Sequence, residues 1–393
     1  VVITNTAVHL LEPSSIMKKP IKILYVVSTL KSVGPTNQLY NIIKSLDLNI
    51  FLPYVITLSK EGENSRLEDF LALNVPVESL DLSRLSGLLV GRRTLIKKIA
   101  EIGPDLIHSQ GARPDIFSSL LDSERPRICT VRNFPQIDYK MTYGRFIGGL
   151  LSIFQIKAFK KLDFCCCVSS AVAQNLIDFY SINNVKVVLN GVDDEVYYPV
   201  SLDRKVTIRH NLGLGGQLRI WLSTIGKDDR KNSIAVANAF KEVYGDDMDN
   251  VLIFIGEGKQ KSECEAIADG SVNFVFPGKV ANVSDYLQAS DYFISASKAE
   301  GMPNAVLEAM SCGLPVILSN IPPHLEVKEL NPNGTYIFDL NEDGSISKVI
   351  GELDRGSREG ESRSSLNAVG RHFSSVSMSK QYQSIYEEIL SGY

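Results

Sequence analysis

The chain is expected to fold as an α/β protein with two doubly wound parallel-sheet domains. Three observations predict this. Short apolar runs alternate with stretches of helical periodicity almost throughout, the pattern of repeated βαβ units. These runs are apolar at nearly every position, as strands buried on both faces must be. The length, 393 residues, exceeds one compact core, and the pattern lapses at "YYPVSLDRK" (197–205) before restarting.

The elements follow in order. "IKILYVV" (21–27) is a buried strand, and "NQLYNIIKSL" (37–46) is a helix with Leu39, Ile42, Ile43 and Leu46 on one face. Strand "PYVITLS" (53–59), a helix near 64–73, a short strand near 75–77 and a helix over 92–101 come next. "DLIHSQ" (105–110), "RICTVR" (127–132), "FCCCVSS" (164–170) and "VKVVLNGVD" (185–193) complete a first domain over 17–200. The second, 201–375, has strands "LRIWLSTIG" (218–226), "VLIFIGEG" (251–258), 272–276, "YFISAS" (292–297) and "PVILS" (315–319). Helices are expected between them at 233–244, 259–268, 283–288 and 304–311. "SKQYQSIYEEIL" (379–390) is a terminal amphipathic helix, and "DRGSREGESRSS" (354–365) reads as a polar loop or helix edge. Residues 1–16 precede "MKKPIKILYVVSTL", which lacks a small-residue cleavage site, and are expected to lie outside the fold.

Composition excludes several classes. A net charge of −4 gives no basis for nucleic-acid binding. Six cysteines have neither disulfide-framework nor metal-ligand spacing, which predicts reduced, buried thiols and a cytoplasmic protein. No run approaches the ~18–20 apolar residues that span a bilayer.

The chemistry is expected at the carboxyl ends of the strands, where open α/β sheets bind ligands. "EGMPNAVLEAMSCGLPV" (300–316) places Glu300 before, and Glu308 just inside, a helix beginning at Pro303 and Asn304. The backbone N–H groups near Met302–Ala305 suit phosphate oxygens. Carboxylates on either side of a phosphate site imply a ligand with hydroxyls on either side of its phosphates, such as a nucleoside diphosphate sugar. Two glutamates stabilising a helix by its dipole would be the plainer reading. "TIGKDDRKN" (224–232) adds Lys227, Arg230 and Lys231, cations suited to a departing diphosphate. "DDMD" (246–249) precedes a strand, on the wrong end of the sheet for a metal site, and "GLGG" (213–216) is followed by a strand instead of a helix.

"SKAEGMPNAVLEAMSCGLPVILSN" resembles the E-x7-E donor motif of the family 4 retaining glycosyltransferases of the GT-B fold. "VSSAVAQNLIDFYSINNVKVVLNGVDDEVYYP" and "FIGEGKQKSECEAIADGSVNFVFPGKVANVSDYLQASDYFISAS" resemble the close of that family's first domain and the core of its second. The likeness covers roughly residues 20–391. It implies two Rossmann-like domains facing across a cleft, the first holding the acceptor and the second the donor, with the helix near 376–391 crossing back onto the first. It puts Glu308 on the ribose, Glu300 on the donor sugar and Lys231 on the diphosphate, with Lys227 or Arg230 in place of the usual arginine. It adds Gly34 and Gly256 as donor-loop glycines and His108 as a catalytic histidine facing the cleft mouth. Taken alone, His108 has a structural reading as well. Asn190-Gly191 matches an "NG" that can be a turn only.

The resemblance implies metal-independent, cofactor-free hexosyl transfer from a UDP-sugar to a saccharide or lipid-linked acceptor in bacterial polysaccharide or lipopolysaccharide biosynthesis. A nucleotide-sugar epimerase and a non-catalytic sugar-nucleotide-binding subunit are the alternatives. Finally, residues 140–162 carry five basic and no acidic residues between Lys140 and Lys161. They read either as an interfacial helix on an anionic membrane or as an amphipathic helix packed on the first domain.

Overall fold

Two all-parallel sheets organise the computed structural model, which describes residues 19–121, 124–216, 218–245, 247–353 and 358–392. The extension expected at 1–16 lies outside the described residues. The first sheet comprises β1 (Ile21–Val27), β2 (Phe51–Thr57), β3 (Val77–Ser79), β4 (Leu106–Gln110), β5 (Arg127–Val131), β6 (Phe164–Cys167) and β7 (Val185–Val187), in the order β3-β2-β1-β4-β5-β6-β7. The second comprises β8 (Arg219–Ile225), β9 (Asn250–Gly256), β10 (Phe274–Gly278), β11 (Tyr292–Ser295), β12 (Val316–Ser319) and β13 (Thr335–Phe338), in the order β10-β9-β8-β11-β12-β13. Strand order reverses between β1 and β4 in one sheet and between β8 and β11 in the other. Those two points define the ligand crevices of doubly wound sheets.

The period-2 geometry of a strand sorts β1 onto two cores. Ile23, Tyr25 and Val27 face one apolar cluster, and Leu24 and Val26 face another. The first cluster is closed by the terminal helix, Ser375–Ser391, through Met378, Tyr382, Ile385, Tyr386 and Ile389. The chain crosses between the domains twice, side by side. Val192 N–H donates to the Phe373 carbonyl and Ser375 N–H to the Val192 carbonyl. All six cysteines are buried and unpaired.

Some elements depart from expectation. The linker expected at 197–205 ends inside a helix, Leu202–Asn211, capped by Ser201, whose Oγ accepts from Arg204 N. Its apolar face is weak. It is anchored by ions instead, with Lys205 and Arg209 both on the buried Asp291 at 2.8 and 2.7 Å. Of the stretch 354–365, read as a polar loop or helix edge, residues 359–365 belong to the helix Glu359–Ala368. The segment 140–162 spans two helices, Pro135–Tyr143 and Arg145–Phe159, broken at Gly144, whose φ of 81° favours glycine.

Candidate active site

The helix Asn304–Ser311 follows β11 and its start is the common wall of three cavities. No side chain caps it. Asn304 turns its Oδ1 away to accept from Asn190 Nδ2 at 2.8 Å and, longer, from Gln38 Nε2, both in the first domain. The amides of Asn304 and Ala305 therefore begin the helix without a side-chain acceptor, the arrangement that receives a phosphate. Gly34, first residue of the opposite helix, brings its backbone close: a Cβ there would lie 3.1 Å from Asn304 Nδ2. Asn190 is thus part of the cleft wall as well as a turn.

One cavity, about 250 Å³, is lined by Thr224, Gly256, Val280, Leu287, Ala305 and Glu308. It is mostly apolar, with Glu308 among its lining residues. Gly256 has φ 108°, and a Cβ there would collide with the Ile225 carbonyl, so glycine is required to bring β9 past β8. Burial pushes Glu308 up to about 7, only partly offset by Lys231. Glu300 behaves oppositely. Burial alone would raise it, but Lys231 at 2.7 Å and Ser297 Oγ at 2.9 Å hold it below the usual range. One carboxyl is therefore poised to gain a hydroxyl partner and the other is already an anion.

Two of the three cations are engaged. Lys231 is bound to Glu300. Arg230 lies between Asp228 and, across the cleft, Asp138. Lys227 is exposed at the rim. Met302 is buried against the interdomain core and Pro303 occupies the N-cap position. The domains touch here. Ser169 Oγ donates to the Gly301 carbonyl at 2.7 Å, and a Cβ on Gly301 would collide with the Arg132 carbonyl. Among the described residues no group of three His, Cys, Asp or Glu could hold a metal ion. Asp247 and Asp249 of the rejected "DDMD" sit in the turn before β9.

His108 does not face the cleft mouth. It is fully buried, with Nδ1 2.8 Å from Tyr386 Oη and Nε2 2.8 Å from Thr130 Oγ1. Tyr25 and Tyr382 flank its ring. The cause is strand alternation plus cover: its face of β4 is the one onto which the terminal helix packs. Burial, with help from the Arg132 charge, lowers it to about 3, so it stays neutral.

Sequence reasoning missed several cleft residues. Arg132 and Asn133, just past β5, line an interdomain cavity of about 540 Å³ with Asp138, Glu300 and Asn304. Position after a strand end was the available signal. His324 is buried, its Nδ1 2.9 Å from Ser319 Oγ, which donates to the Ser297 carbonyl behind Glu300. It lies in no motif, and only the fold brings it there.

Two family models match the chain, one described as Glycosyltransferase Family 4 over residues 34–196 and one as Glycosyl transferases group 1 over 219–353. The chain belongs to the family 4 glycosyltransferases. Among relatives of this family 4 enzyme, the Escherichia coli UDP-Gal:alpha-D-GlcNAc-diphosphoundecaprenol alpha-1,3-galactosyltransferase is 24% identical over 308 residues, covering 74% of this chain and 78% of that one. The E. coli O-antigen biosynthesis glycosyltransferase WclY is 24% identical over 385 residues, 94% and 98% of the two chains. The solved structure of Anabaena HepE in complex with UDP and glucose superposes with a TM-score of 0.76 at 17% identity, covering 94% of this chain and all of that one. The lipopolysaccharide glycosyltransferase WaaG superposes with a TM-score of 0.71 at 14% identity, covering 93% and 99%. The fold is GT-B, and this family 4 protein is a glycosyltransferase.

Proposed function

We propose that this enzyme transfers a hexose, with retention and without a metal ion or cofactor, from a UDP-sugar to a lipid-linked saccharide during bacterial surface-glycan assembly. The observation that carries the reading is the uncapped helix start at Asn304, with Glu308 beside a nucleoside-sized cavity, Glu300 on the other side and Lys231 between. Glu308 takes the ribose hydroxyls and Glu300 a hydroxyl of the sugar. Lys231 and Arg230 exchange their carboxylates for the diphosphate as charge develops on it. The names of the E. coli relative and of the HepE complex, which specify a UDP-sugar or UDP, support this donor class.

The acceptor side points to a membrane. On the Arg145–Phe159 helix, Ser152 and Gln155 face inward, while Phe146 (94% exposed), Ile147, Leu150, Ile153 and Phe154 face solvent. Ile156 and Phe159 are buried on the inner side as well, so the helix is apolar on both sides. An exposed apolar face with Lys140, Arg145, Lys157, Lys160 and Lys161 around it suits the inner face of an anionic bilayer. No described helix is long and apolar enough to cross a membrane. The test is transfer from UDP-sugars to a lipid-diphosphate-linked saccharide in excess EDTA, with the anomeric configuration of product read by NMR. We expect full activity and retained configuration. Activity abolished by EDTA and restored by magnesium or manganese, or an inverted product, would overturn the respective part.

A further inference from the structure

The acceptor end of the cleft carries a cation that the donor chemistry does not use. We propose that the cavity between Arg132, Asn133, Ile137, Tyr143 and Glu300 holds the acceptor head group, and that Arg132 binds the phosphate joining the acceptor sugar to its lipid. This rests on the lipid-linked acceptor reading above.

Arg132 Nη2 donates to Gln110 Oε1 at 2.6 Å, and its Nε is buried without an acceptor. Among the described residues no carboxylate lies within ion-pair distance of it, whereas Arg230 and Lys231 at the same cleft are both paired. Behind it, the Nε2 of Gln110, a side chain 7% exposed, also lacks an acceptor. The buried Asp115 acts on Arg132 only from beyond ion-pair distance, its own carboxyl pushed by burial up to about 7. A largely buried guanidinium so weakly balanced is costly, and an incoming anion reduces that cost. The guanidinium's planar fork suits phosphate.

Position assigns the anion to the acceptor. Arg132 belongs to the first domain, while the donor phosphate groups, Lys231 and the Asn304 amides, belong to the second. The Arg132 carbonyl lies against Gly301, one residue from Glu300, so a phosphate here is close to the transferred sugar. The same cavity is walled by Ile137 and Tyr143, which are 43% and 52% exposed. They lie in the same stretch of chain as Met141, Phe146 and Ile147, which are also exposed apolar residues. Hydrocarbon, phosphate and sugar therefore each have matching side chains at this end of the cleft. A free acidic sugar would use the guanidinium but leave the apolar wall bare.

The test uses the parent protein saturated with UDP, so that the donor phosphate groups are occupied. Farnesyl diphosphate is titrated by calorimetry, alongside farnesol and inorganic pyrophosphate. We expect farnesyl diphosphate to bind with UDP in place, and the other two to bind at least about tenfold more weakly, since each lacks one of the recognised parts. Arg132→Gln should weaken farnesyl diphosphate at least about tenfold and leave UDP affinity within about twofold. Displacement of farnesyl diphosphate by UDP, or loss of UDP binding in a folded Arg132→Gln protein, would return Arg132 to the donor and overturn the proposal. Pyrophosphate binding as tight as farnesyl diphosphate would overturn the lipid assignment. If Arg132→Gln does not fold, the parent titrations still decide. Vesicle binding is tested separately, through Lys157, Lys160 and Lys161 at the end of the Arg145–Phe159 helix, so the membrane reading can fail while this pocket stands.

Discussion

At the scale of single residues, two groups with displaced titration make opposite predictions. Glu308 is raised to about 7 in the empty protein. Its folded pKa lies above that of an unfolded glutamate, so the folded state holds the proton more tightly. The stability this gives is present below about pH 4.5 and is lost as pH rises toward 7. Glu308→Gln should therefore raise the melting temperature of the UDP-free protein more at pH 8 than at pH 5. The same substitution should weaken UDP by roughly 1.5–3 kcal/mol, because a charge-assisted acceptor for ribose is gone. Calorimetry at pH 8 checks it, and unchanged UDP affinity would make Glu308 a helix residue only. His108 is predicted to behave as a core group. His108→Ala empties a site between three tyrosines and takes one partner each from Tyr386 Oη and Thr130 Oγ1, which keep Tyr25 and Tyr382. Denaturant unfolding should show a loss of about 2–4 kcal/mol, with UDP affinity kept. A fully stable His108→Ala protein with lost turnover would put the histidine back in the chemistry.

Among elements, the Arg145–Phe159 helix makes the sharpest prediction. Replacing Lys157, Lys160 and Lys161 with glutamine should reduce sedimentation with anionic vesicles, each basic residue near such a surface contributing about 1 kcal/mol. Equal sedimentation of variant and parent would leave the exposed apolar face to another partner. Elements also show what was legible beforehand. Doubly buried strands such as β1, β8 and β9 announce themselves as continuous apolar runs, and the donor helix at Asn304 by its flanking glutamates. The helix Leu202–Asn211 did not, because ion pairs to Asp291 replace an apolar stripe. His108 was placed on the correct strand end but its exposure was misread. Period 2 gives the two faces of β4, and nothing local says that one is covered by Tyr386, 278 positions later. The unpaired Arg132 was illegible for the same reason: whether a charge has a partner is a property of the assembled cleft.

For the whole molecule, the decisive feature is how closely the domains meet. Gly301 abuts the Arg132 carbonyl, backbone against backbone, and Gly34 abuts the Asn304 side chain, so the cleft walls touch at two glycines. Gly301→Ala should hold the domains apart while leaving the second domain intact. We predict UDP affinity within about threefold of the parent and turnover at least about 100-fold lower, the cost of misplacing reacting groups by about 1 Å. Steady-state kinetics beside UDP calorimetry checks this. Turnover near the parental value would mean that transfer does not need this contact.

The return of the terminal helix to the first domain has a consequence for biosynthesis. During translation the first sheet emerges early, yet Tyr382 and Tyr386, which complete its core and cover His108, belong to the last segment described. About 190 residues separate residue 200 from Ser391. At ~5–20 residues per second, the nascent first domain waits on the order of 10–40 s with Ile23, Tyr25 and Ile128 uncovered. The half of the enzyme made first is thus the last to be finished, and a ribosome stalled before Ser375 holds an unsealed apolar face.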